Sequence, residues 1–110
     1  MADEHLDIDQ LLNALSIIMT ELDARREKIV DDVDRQAVAS QILAIGKLWR
    51  KLDAKRLAEP TKQLDEACAA LRKVTAEVKK QRESLQNVAK VIHAAARTIA
   101  IAEKVLASVT

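Results

Sequence analysis

The scarce reactive side chains of this 110-residue chain are one cysteine, Cys68, and two histidines, His5 and His93. They lie far apart along the sequence. A metal site needs three or four convergent ligands from His, Cys and carboxylates. No Glu-x-x-His pair of the di-iron bundle type occurs either. A nucleophilic serine needs an activating base and a strained turn such as G-x-S-x-G. A phosphate-cradling loop needs several glycines. The chain holds one glycine, Gly46, and neither motif. Asp31, Asp32 and Asp34 suit the start of a helix, where anions meet the positive end of its dipole. No catalytic, cofactor-binding or metal-ligating residue is expected, and the protein is expected not to be an enzyme. Cys68 has no intrachain partner for a disulfide and reads as a small buried thiol in a reducing compartment.

One stretch could recognise a partner. Lys47–Leu48–Trp49–Arg50–Lys51–Leu52–Asp53–Ala54–Lys55–Arg56 packs five bases and one acid into a helix with Ile42, Ile45, Leu48, Trp49 and Leu52 on one face. Such a helix can fill a protein groove, lie on an anionic membrane or touch nucleic-acid phosphates. It can also bury its apolar face in a bundle, with its bases answering the helix dipole. Lys47, Trp49, Arg50, Lys51, Lys55 and Arg56 are the candidate partner-binding set. Another helical protein is the expected partner; nucleic acid and membrane are not expected.

The elements that carry these residues are helices. The chain has no Phe or Tyr, one Trp, one Gly and one Pro, which leaves too few turn residues for a sheet protein. It is one domain, residues 1–110. Leu64, Leu71, Val78, Leu85, Ile92, Ile99 and Leu106 recur every seventh residue. Ala67, Val74, Gln81, Val88, Ala95, Ala102 and Val109 run beside them, and only Gln81 is polar. That is the a/d pattern of a coiled-coil helix. The expected fold is all-α: two shorter helices, about 7–30 and 33–58, then one long heptad helix, about 61–109, of roughly 70 Å. The alternative is a closed four-helix bundle with a turn near 82–87. Asp7 caps the first helix with Gln10 in capping-box position. A mostly cationic Arg25–Lys28 stretch followed by Asp31–Asp34 points to a break near 30–33, with a kinked continuous helix as the alternative because no Gly or Pro enforces it, and Pro60 stops the second helix.

A long stripe that its own chain cannot cover implies self-association, most simply a dimer. Leu85, Ile92, Ala95, Ile99, Ala102 and Leu106 are the candidate seam. Val91, Ile101 and Val105 widen the apolar surface near the C-terminus. The chain is charge-divided: residues 1–34 carry ten acids and three bases, while the rest carries fifteen bases and seven acids. The acidic start of the chain does not have the form of a secretion signal, and no stretch is apolar enough to span a bilayer. The cytoplasm is therefore the expected compartment. In size, helicity and a histidine within a helix, the chain is similar to histidine phosphotransfer domains. Their histidine is followed by a basic residue and a glycine; here Arg97 stands four positions after His93 and no glycine follows. The expected function is a non-catalytic helical interaction module: a scaffold, an adaptor or an immunity-type protein. The alternatives are a phosphotransfer-like signalling bundle, or a membrane or nucleic-acid binder acting through the Trp49 segment.

Overall fold

Each helix of this protein is apolar on one side only, so none is stable until that side is covered. The structure, a computed structural model, describes residues 8–55, 62–80 and 88–108. It forms an all-α helical bundle: α1 (Ile8–Arg26), α2 (Asp32–Lys55), α3 (Lys62–Lys80) and α4 (Val88–Ser108). No strand occurs among the described residues. α1 ends at Arg26, a few residues before the expected bound, and Pro60 lies outside the described residues.

The helices close a ring. α1 packs on α2 and α3, α4 packs on the same two, and α1 also meets α4 across the centre. Three hydrogen bonds set their directions. The Trp49 indole N–H donates to the Leu12 carbonyl at 2.9 Å, so the end of α2 lies beside the start of α1. Arg25 Nε donates to the Val78 carbonyl at 3.4 Å, so the ends of α1 and α3 coincide and these two run parallel. Gln41 Nε2 donates to the Ile92 carbonyl at 3.1 Å, tying α2 to α4.

The break near 30–33 is a turn, not a kink. Lys28 and Ile29 donate their amides to the carbonyls of Arg25 and Arg26, tightening the end of α1. Buried Ile29 plugs this end of the bundle, and Arg35 clamps its carbonyl with Nε and Nη2 at 3.0 and 2.8 Å. Asp31 then caps α2, its Oδ2 accepting the Asp34 amide at 3.0 Å. Gly46 sits inside α2, and a methyl added there would meet Met19 Sδ at 3.9 Å, an ordinary contact. Close helix crossing therefore does not require this glycine.

The 61–109 rod is not found. α3 ends at Lys80, α4 starts at Val88, and the two helices pack against each other. The longest extent of the described residues is 48 Å, too short for a rod of roughly 70 Å. The closed bundle weighed as the alternative is what forms, though the turn at 82–87 lies outside the described residues. The heptad count missed the change because seven positions separate Lys80 from Val88, so counting by sevens runs across them unbroken. Ala95 and Ala102 keep one of the two buried rows, but the other does shift. In α3 it is Leu64, Leu71 and Val78; in α4 it is Val91, Thr98 and Val105, while Ile92, Ile99 and Leu106 are only partly buried. The sequence hides that one-residue slip because both rows of α4 are largely apolar. A row centred on Val91 also accounts for the widened apolar surface near the C-terminus.

The core repeats. Arg25 and Val78 are 53 residues apart, and the same spacing links buried Leu11 to Leu64, Ile18 to Leu71, Val38 to Val91, Ile45 to Thr98 and Leu52 to Val105. The α1–α2 hairpin and the α3–α4 hairpin thus fill the centre in step. Two polar side chains interrupt it. Thr98 satisfies its hydroxyl on the Ala94 carbonyl at 2.9 Å. Arg25, only 2% exposed, stands where the second hairpin has Val78. Its Nη2 meets Glu21 Oε1 at 2.8 Å while its Nε meets one of the last carbonyls of α3, which lack partners within the helix.

Removing one member of a buried pair strands the other, whereas an apolar replacement of similar length restores packing. Arg25→Ala is expected to lower stability by about 2–4 kcal/mol and Arg25→Met by about 1 kcal/mol. Urea unfolding followed by circular dichroism measures both. An Arg25→Met variant as stable as the parent would mean that the guanidinium contributes no more than its volume.

Candidate interaction surface

α2 presents the partner-binding candidates, and the bundle divides them into two groups. Ile45, Leu48 and Leu52 are buried, and half-buried Trp49 turns inward with its N–H on Leu12. Lys47, Arg50 and Lys51 are exposed on the outer side. Lys55 closes α2, and Arg56 lies outside the described residues. The structure thus separates Trp49 from the bases that neighbour it in sequence. The tryptophan fastens α2 to α1, and the cations face solvent.

The sequence reading overlooked one residue of this outer face. Leu43 is 68% exposed, one turn before Lys47 and two before Arg50. Its signal was its phase: it falls one residue after Ile42 and leaves the buried spacing of Val38, Ile42 and Ile45. An exposed leucine beside three cations, with few acids near them on α2, makes an apolar spot with a basic rim.

The proposed seam residues fall elsewhere. Ala95 and Ala102 are fully buried within the one chain. Ile92, Ile99 and Leu106 pack partly buried against the same core, and Leu85 lies outside the described residues. A second copy could reach Ala95 or Ala102 only if the bundle opened.

The reactive side chains remain apart. Cys68 is buried in the core. His93 is exposed on α4, among exposed Ala89, Lys90 and Ala96. Arg97, four residues on, is held by Glu77 of α3 at 2.8 and 3.0 Å. No group of three or more metal-ligating side chains converges among the described residues. A shallow cleft between α3 and α4 has an apolar lining of Ala67, Ala70, Ile101 and Val105, with Glu66 and Lys104 beside it. Gln41 Oε1 is buried and has no hydrogen-bond partner among the described residues. No helix among the described residues is long and apolar enough to cross a membrane.

Comparison with protein-family models, with curated proteins and with solved structures gives no match. The surface therefore has to be interpreted from its own chemistry.

Because Trp49 is the one tryptophan, its fluorescence reports on the α1–α2 contact. Trp49→Phe keeps an aromatic ring but loses the bond to Leu12 and some ring volume, and it is expected to cost about 1 kcal/mol or more. Chemical denaturation followed by circular dichroism measures that loss, since the variant has no tryptophan to follow. An unchanged midpoint would show that the indole N–H adds nothing to the packing.

Proposed function

We propose that this protein is a non-catalytic helical interaction module, of the scaffold, adaptor or immunity type, that engages another protein through the outer face of α2. The supporting observation is Leu43 exposed beside Lys47, Arg50 and Lys51, on a stretch of α2 where Val38, Ile45, Leu48 and Leu52 are buried and Ile42 and Trp49 pack partly buried against the core. A small apolar centre with a charged rim is the common anatomy of a protein interface, and its charge favours a partner with an acidic surface. Binding to a lipid surface would want the large aromatic free to insert, and Trp49 is committed to Leu12. Self-association remains part of this reading, but it uses outer faces of the closed bundle.

A second reading has one observation in its favour. His93 is exposed on the outside of a helical bundle, with small Ala89 and Ala96 beside it that would let another domain approach. A phosphotransfer role would use this imidazole as the acceptor.

A photo-cross-linking residue at position 50, with a control at exposed Asn13 of α1, tests the first reading in the native cell. A discrete heavier adduct is expected at position 50 only. It should disappear with Leu43→Ser or Lys47→Glu, while the unfolding free energy moves by less than about 0.5 kcal/mol. Identical adducts at both positions, or none at either, would defeat it. Incubation with a radiolabelled acyl phosphate tests the second reading. Label present in the parent chain and absent from His93→Ala supports phosphotransfer; label retained by the variant, or absent from both, removes it.

A further inference from the structure

The end of the bundle that carries the α1–α2 turn holds both signs of charge, with acids in excess on the turn and the start of α2 and bases in excess on the end of α3. The bond from Arg25 to Val78 brings the ends of α1 and α3 together, so the 27–31 turn and Lys79–Lys80 share one end. The turn and the start of α2 expose Glu27, Asp31 and Asp32, which outnumber the exposed bases Lys28 and Arg35 there; Asp31 caps α2 through one oxygen and Asp32 lies 3.9 Å from Arg35. Val30 and Val33 stand among them, 89% and 74% exposed, the most exposed large apolar side chains of the described residues. α3 exposes Arg72, Lys73, Lys79 and Lys80, with Ala69 and Ala76 also at the surface. Arg72 and Lys79 are one heptad apart, as are Lys73 and Lys80, giving two columns of bases about 10 Å in rise. The next acid on α3, Glu77, turns instead to Arg97 of α4. Within the described part of the chain none of these four bases has an ion-pair partner. Lys79 and Lys80 answer the helix dipole of the last turn, but Arg72 and Lys73, two turns earlier, do not.

We propose that a second copy of this chain covers this end. About a two-fold axis, the Val30–Val33 turn of each copy seats its carboxylates against the base columns of the other. The valines pack over Ala69 and Ala76. One chain carries both halves of the contact, and two-fold symmetry makes each contact twice. With a net charge of +1 the copies do not repel as wholes. A polyanion suits this end less well, because Glu27, Asp31 and Asp32 share it with the bases. The surface goes beyond the Leu43 reading and is separate from it: it uses the turn, the first turn of α2 and the outer side of α3, whereas Leu43, Lys47 and Arg50 lie ten or more residues further along α2 than Val33.

Sedimentation equilibrium of the full chain tests the proposal. Twice the chain mass is expected near 0.05 M salt, with the dissociation constant rising at least about tenfold near 1 M as charges are screened. Arg72→Glu/Lys79→Glu and Glu27→Lys/Asp32→Lys should each weaken the dimer by about tenfold or more. An equimolar mixture of those two variants should recover association to within about threefold of the parent, because their reversed charges match. Lys47→Glu/Arg50→Glu, with the same change in net charge on α2, should dimerise as the parent does. Circular dichroism confirms that each variant is folded. A chain that stays monomeric at low salt overturns the proposal. So does an α2 variant weakened as much as the α3 variant, or a mixture that fails to associate.

Discussion

The fold depends on closing four one-sided helices around a shared centre. A single hairpin, α1–α2 or α3–α4, would leave its inner stripe in water, and a helix of this length is marginal in isolation. Laid side by side, the hairpins bury Leu11, Ile18, Ile45 and Leu52 against Leu64, Leu71, Val91 and Val105. Burial of this kind is non-directional, worth about 1.5–3 kcal/mol for each large aliphatic side chain. It favours compactness without choosing one helix arrangement over another.

Directional bonds make that choice. Arg25 carries a charge into the centre and meets it with Glu21 and the end of α3; Trp49 joins α2 to α1; Gln41 joins α2 to α4. Each links two elements at one register, so a helix slipped by a turn would strand a buried polar group. The 53-residue step of the core shows how consistent this register is: the only polar members of the repeated rows, Arg25 and Thr98, both find partners.

The outer surface follows from the same closure. Because the inner stripes cover one another, what remains outside is mostly charge and alanine, and the exceptions stand out. Leu43 lies beside the bases of α2, and Val30 and Val33 lie among the acids of the turn. Both are apolar points framed by charge, basic around Leu43 and with acids in excess around the valines, an arrangement that gives specificity through complementary potential. The interaction-module reading rests on this pattern.

Local chemistry was legible from the residues alone. The shortage of Gly, Pro and aromatics, together with the heptad rows, determined an all-α chain; the switch from cations to anions near residue 30 pointed to a break but left turn or kink open. What packing decided was direction. A seven-residue period states that one side of a helix is buried, but not whether the cover comes from another chain or from a hairpin of the same one. A seven-residue interval between α3 and α4 cannot disturb that period, and apolar residues in two adjacent rows of α4 conceal a one-residue slip. The inward turn of Trp49, away from the bases around it, was likewise set by Leu12, which lies 37 residues away in sequence and can meet it only through tertiary contact.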